Sequence, residues 1–135
     1  MPPVAGDIWR YDYLWRRQHA SGETKGRKPR AVSLVAAVKG ANGRTHLFLL
    51  PITSQPPASI RPAVEIPEIE RRRAGLDDLP LWVMLDEYNY DVLELSYYFD
   101  GDARIGRFSA AFHAKTLRAF RDIAKARRTA GVPRR

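Results

Sequence analysis

Residues 30–53, RAVSLVAAVKGANGRTHLFLLPIT, hold two apolar runs on either side of Asn42-Gly43, and no other stretch constrains the fold as strongly. Asn-Gly between apolar segments is the strongest short-range hairpin signal, because a two-residue type I′ loop needs positive φ at both central positions. With those two residues as the turn, Ala41 opposes Arg44, Val38 opposes Leu47, Val32 opposes Thr53 and Arg30 opposes Gln55. Opposed residues share a face and the side-chain period is two. Arg30, Val32, Leu34, Val38, Leu47, Leu49 and Thr53 therefore project together, and Phe48, Leu50 and Ile52 project the other way. Arg30 and Thr53 become diagonal neighbours about 7–8 Å apart, a gap that a guanidinium spans. A one-residue slip of register would separate the pair.

The rest of the chain arranges itself around this hairpin. Residues 7–14, DIWRYDYL, alternate Trp9, Tyr11 and Tyr13 against Ile8, Arg10 and Asp12 and predict a half-buried first strand. Residues 15–29 form a polar, basic, Gly-bearing loop, long for a hairpin connection. Pro51 lacks an amide donor and belongs where no ladder bond is required. Residues 54–62, SQPPASIRP, cannot be regular, whereas 63–66 suit a short strand and 67–74 a short helix opened by Pro67 and stopped by Gly75. Strands are expected at 81–87 and 91–98, and Ser109 caps a helix over 110–130. Phe112, Thr116, Phe120, Ile123 and Arg127 share a stripe of that helix. One domain spans 1–135, with frayed ends at 1–5 and 131–135. The fold class is mainly β with a C-terminal helix, an α+β chain whose short strands suggest a strongly bent antiparallel sheet or small barrel.

Composition narrows the chemistry. Cysteine is absent, which removes disulfides, thiolate catalysis and cysteine zinc sites together. No apolar run approaches the roughly 20 residues of a membrane helix, and the first residues carry no secretory pattern, so a cytoplasmic protein is expected. A net charge of +8, concentrated in residues 10–30 and 104–135, points to a polyanionic partner such as nucleic acid. No Gly-rich phosphate loop, nucleophile elbow or metal-spaced His pair is present, and His19, His46 and His113 are scattered over a loop, a strand start and a helix.

Gly6-Asp7-Ile8-Trp9, then a basic loop, then Gly26-Arg27-Lys28-Pro29-Arg30, then Leu50-Pro51-Ile52-Thr53, together resemble the MazF/PemK toxins of bacterial toxin–antitoxin systems. Leu85-Asp86-Glu87 and Gly106-Arg107-Phe108 are similar to divergent members of that family. The resemblance implies a small SH3-like antiparallel barrel of the CcdB/PemK type, a homodimer, a cytoplasmic location, and metal- and cofactor-independent cleavage of single-stranded RNA, neutralised by an antitoxin protein. Arg30 falls at the family's catalytic arginine and Thr53 at its active-site threonine. The family has Arg-Pro at that point, and here Pro29 precedes Arg30.

Metal-free RNA cleavage uses the 2′-hydroxyl as nucleophile, so the protein must supply proton transfer and donors for phosphorane charge. Arg30 suits the phosphate clamp, because a guanidinium binds two phosphate oxygens and stays charged. Thr53 is a further donor, and Asp86 or Glu87 is the candidate base, with strand alternation allowing only one of them to face the site. Arg16, Arg17, His19, Lys25, Arg27 and Lys28 would contact phosphates, and Trp15 would stack a base. A non-catalytic nucleic-acid- or protein-binding module on the same barrel is the alternative, and a basic helix docking an acidic partner is a third reading.

Overall fold

A computed structural model of the protein describes residues 2–23 and 29–134. In chain order the elements are β1 (Asp7–Tyr11), α1 (Arg16–Ala20), β2 (Arg30–Lys39), β3 (Thr45–Thr53), β4 (Ala63–Glu65), α2 (Glu68–Ala74), β5 (Trp82–Met84), β6 (Glu87–Val92), β7 (Arg104–Arg107), α3 (Ala110–Lys125) and β8 (Ala130–Pro133). The strands pair in the order β4-β5-β3-β2-β1-β7, with β6 on β3 and β8 on β6. Every pairing is antiparallel except β6 with β8. The protein is thus a mainly antiparallel sheet with a helix near its C-terminus, and the sheet is open.

The sheet also forks at β3. The outer edge of β3 is divided: His46 to Leu49 carry β6, and Ile52-Thr53 carry β5. Leu50 and Pro51 lie between the two branches, where the missing amide of proline costs no ladder bond. That is the kind of position the sequence requires for Pro51.

The central hairpin closes by a different turn from the expected one. Gly43 donates its N–H to the Gly40 carbonyl at 3.0 Å, Gly40 donates to Arg44 at 2.8 Å, and Gly43 has φ of 79°. Only three residues, Ala41, Asn42 and Gly43, lie outside the ladder, a turn ended by a left-handed glycine. The register is therefore one residue short of the expected pairing: Val38 opposes His46 rather than Leu47. A bulge between Leu34 and Ala36 then shifts it by one more, so that Val32 opposes Pro51. Two slips in the same direction restore the original face. Val32, Leu34, Leu47 and Leu49 still point together, whereas Val38, beyond the bulge, is 52% exposed.

Each face of the sheet has a core. One joins Ile8, Val35, Leu50, Ile52, Val64, Ile66 and Val83 to Phe108, Phe112 and Phe120 at and on α3. Phe48, Leu50 and Ile52 thus find their cover within the chain. The other core joins Trp9, Tyr11, Tyr13 and Trp15 to Val32, Leu34, Leu47 and Leu49, under Leu93, Tyr98 and Phe99. Ser109 caps α3 as expected, accepting from Phe112 N–H at 3.1 Å, and Ser109 in turn donates its hydroxyl to the buried Glu70 at 2.7 Å.

Several boundaries differ from the sequence reading. The first strand ends at Tyr11, and residues 16–20 of the expected loop form α1. The strand expected over 81–87 is confined to Trp82–Met84, and the next runs over Glu87–Val92 before a 3₁₀ turn at Leu93–Leu95. The helix stops at Lys125, and Arg127 adopts a φ of 56° beyond it. Ala130, expected to end the helix, and residues 131–133, expected to fray, pair with β6 instead; Val132 is buried, and Arg134 N–H donates to the Tyr90 carbonyl at 2.8 Å. No helix among the described residues is long and apolar enough to cross a membrane.

Two outcomes follow from this packing. A Cβ on Gly106 would lie 2.3 Å from the Ala74 carbonyl oxygen, which is backbone and cannot swing away. Gly106→Ala is expected to lower stability by about 1–3 kcal/mol in urea denaturation. Burial lowers the proton affinity of His113, whose Nδ1 is buried with no hydrogen-bond partner among the described residues. The unfolded chain then takes up this proton first, so the contribution is present above about pH 6.5 and is lost as pH falls through the lower folded value. The melting temperature should drop between pH 7.5 and 5.5, less steeply in His113→Gln.

Candidate functional site

The β2–β3 pairing ends at Val32 and Pro51, and the parity of that register puts Arg30 and Thr53 on the same face just beyond it. Both side chains line two adjoining cavities. One, of about 470 Å³, is bordered by Trp15, Arg17, Gln55 and Arg61 as well. The second, of about 310 Å³, extends past Arg30 and Thr53 toward Arg10, Asp77 and Leu79. A third, of about 340 Å³, shares Arg17 and Arg61 with the first and adds Arg16, Asp86 and Glu87.

Arg30 is half-buried and has no ion pair among the described residues. Its guanidinium carbon lies 5.4 Å from the Trp15 ring centre, and that of Arg17 lies 5.1 Å from the same ring. Burial, and after it the Arg17 charge, lowers the proton affinity of Arg30. The group remains a cation at any ordinary pH. Two guanidiniums thus share one indole, with no ion pair to either among the described residues. Thr53 Oγ1 accepts from Gln55 N–H at 3.1 Å, which leaves its hydroxyl proton free to donate.

Trp15 does not offer the open stacking face expected of it. It is 4% exposed, its faces are taken up by Arg17, Arg30 and the Tyr13 edge, and it orients the arginines instead. Its Nε1–H is buried without a partner among the described residues.

A ladder of side chains from β6 sets the position of Trp15. Glu87, Asn89 and Asp91 alternate onto one face and are all buried. Asp91 accepts from Tyr11 Oη at 2.8 Å. Asn89 accepts from Leu14 N–H and donates to the Leu14 carbonyl, both at 2.8 Å. Glu87 accepts from Tyr13 Oη at 3.1 Å and from Arg16 N–H at 2.9 Å. Desolvation, reinforced by the facing carboxylates, pushes both tyrosine pKa values well up and keeps the phenols as donors. Residues 11–16 therefore cross β6 with their backbone held by side chains.

Asp86 and Glu87 do not occupy the position expected of a base. Neither borders the cavities that hold Arg30 and Thr53. Asp86 takes Arg61 in a two-pronged bond, Nε and Nη2 each at 2.8 Å, and Glu87 lies 3.4 Å from the same Nη2. Alternation failed to separate the two carboxylates because residues 85 and 86 form the corner between β5 and β6, where the period of two is interrupted.

Arg16 and Arg17 lie exposed on α1 at the cavity rims. His19, on the same helix, borders none of the three cavities. Lys25, Arg27 and Lys28 lie outside the described residues. Arg61 was missed by sequence reasoning, although a lone cation in a Pro-rich, otherwise uncharged loop was a signal for it. The Gly6-Asp7-Ile8-Trp9 motif also has a packing reason: buried Asp7 accepts from Val4 N–H and Arg107 Nε at 2.9 Å, and Ile8 and Trp9 fill the two cores. No group of three His, Cys, Asp or Glu suited to a metal ion occurs among the described residues. No protein-family model matches the chain, and no curated protein matches it.

Asn89→Ala strips buried partners from both the N–H and the carbonyl of Leu14. Each orphan costs about 1–3 kcal/mol, so a loss of about 2–6 kcal/mol in urea denaturation is expected. Quenching should report a more exposed Trp15 in the same variant.

Proposed function

We propose that this cleft binds single-stranded RNA and cleaves it without a metal, as an endoribonuclease toxin of the MazF/PemK kind. The observation that carries the reading is the half-buried Arg30, without an ion pair among the described residues and beside a second cation of the same kind, Arg17. A phosphate there would meet two guanidiniums and the hydroxyl proton of Thr53. In the reaction the 2′-oxygen attacks phosphorus as its proton leaves, the P–O5′ bond breaks, and the 5′-oxygen takes up a proton. The products are a 2′,3′-cyclic phosphate and a 5′-hydroxyl, with no water consumed. Arg30 and Thr53 act on the charge that grows on the non-bridging oxygens, where fixed donors in a partly dry site count most. The open sheet is, on this reading, a divergent SH3-like barrel, and the surplus of +8 suits an acidic antitoxin as well as RNA. Homodimerisation and a cytoplasmic location belong to the same proposal.

One observation favours a second reading, RNA binding without cleavage. Asp86 and Glu87 are engaged by Arg61 and stand outside the cavities that Arg30 lines, so neither is positioned to take the 2′-proton.

Incubating a mixed-sequence RNA with the protein in EDTA separates the two. Cyclic-phosphate fragments are expected from the parent, with a fall of about 10²–10³-fold in rate for Arg30→Ala, as for loss of an oxyanion donor. Intact RNA that is nevertheless bound selects the second reading. If neither binding nor cleavage occurs, both fall. Arg17→Ala should reduce the slope of log affinity against log salt by about 0.7, the value for one phosphate contact on a single strand.

A further inference from the structure

The 310 Å³ cavity continues the cleft beyond its phosphate-binding wall. It shares Arg30, Thr53 and Ser54 with the larger cavity but not Trp15 or Arg17. Its size falls at the lower end of small-ligand sites. Leu76, Leu79, Leu81 and Ile105 supply apolar walls suited to the flat face of a base. Its one carboxylate is Asp77, on the connection between α2 and β5. The neighbouring Asp78 pairs with Arg71 at 3.8 Å, whereas Asp77 has no ion pair among the described residues.

Resting on the RNA reading above, we propose that this recess is a nucleobase subsite with a preference for guanine, read by Asp77. A carboxylate only accepts hydrogen bonds, so it selects for donors. Guanine presents two neighbouring donors, N1–H and the N2 amino group, which match the two carboxylate oxygens. Uracil presents one N–H between two carbonyl oxygens that would repel Asp77. Adenine and cytosine each present one amino group beside a ring acceptor. In a single strand this base edge is unpaired and available. The phosphate held by Arg30 sets the register of the strand, and the adjoining recess receives a base next to it. The apolar walls hold its faces while Asp77 reads its edge.

The test uses fluorescently labelled short oligouridylates carrying one central G, A, C or inosine, with 2′-O-methyl sugars so that binding is read without cleavage. Wild-type protein should bind the G oligomer about tenfold more tightly than the others, the low end for a two-pronged base contact. Inosine, which keeps N1–H but lacks the amino group, should fall between. Asp77→Ala should abolish the preference while binding the A, C and U oligomers at least as tightly as the wild type, which also shows that the variant is folded. Leu79→Trp, which fills the recess, should abolish it too. Equal affinity for all bases in the wild type, or a preference unchanged in Asp77→Ala, overturns the subsite and leaves the RNA reading intact. A preference for another base overturns the guanine assignment. If no oligomer binds, or if Arg30→Ala binds as well as the parent, the RNA reading itself fails and the subsite with it.

Discussion

The crossing of residues 11–16 over β6 is the constraint on which the cleft depends. A segment leaving a strand loses its ladder partners, and its buried amides must be satisfied in some other way. Here Asn89 takes the Leu14 amide and Glu87 the Arg16 amide, Gln18 takes that of Trp15, and Asp91 and Glu87 hold the two phenols. The arrangement is demanding in both directions. Two buried carboxylates are tolerable only with donors close by, and the segment supplies these from two phenols and the Arg16 amide. Ser96 and the Val92 amide complete Asp91, and Arg61 approaches Glu87 from the far side. Removing any rung therefore leaves orphans on both sides. That mutual dependence keeps Trp15 in place, and with it the two guanidiniums lying over its ring.

Arg30 and Thr53 were legible in the sequence for a reason that the structure alters. The expected two-residue turn placed them diagonally, yet the observed turn takes three residues and β2 carries a bulge. Either change alone would have put the pair on opposite faces. Together they cancel, because side-chain direction depends only on the parity of the shift. Apolar alternation in residues 30–34 and 47–53 survives for the same reason, and only Val38, beyond the bulge, loses its expected face. The helix cap at Ser109 and the stripe of Phe112, Thr116 and Phe120 depend on local spacing, which a sequence displays directly. The parallel pairing of β8 with β6 was not legible, since residues 130–133 carry no alternation and their partner lies about forty residues away in sequence.

Arg17 and Arg30 are set apart from other cations of a basic surface by where they converge. Arg61, Arg71, Arg72, Arg104 and Arg107 each approach a carboxylate within 4 Å. Arg17 and Arg30 have no such partner among the described residues, and they converge on one ring at the edge of a cavity. An unpaired, partly desolvated cation raises the free energy of the empty protein, and a second beside it raises it further. Phosphate relieves that cost more fully than water does. The surplus charge is therefore most costly where an anion would be bound.

Asp86 and Glu87 show how the corner of a sheet decides what a carboxylate meets. Two acids after an apolar strand suggest a base, and alternation appeals as the rule for choosing between them. At the corner between β5 and β6 that rule has no purchase, and both carboxylates converge on Arg61. The loop carrying Arg61 supplies Gln55, Pro56, Pro57 and Ala58 to the wall of the larger cavity. Its prolines limit how the loop can bend. The two-pronged bond from Asp86 fixes the far end of that wall, and Glu87 reaches the same guanidinium while holding Tyr13 and Arg16. One carboxylate thus touches both sides of the cleft, the loop through Arg61 and the Trp15 segment through Tyr13 and Arg16. Its contribution to any chemistry at Arg30 is to set the distance between those two sides.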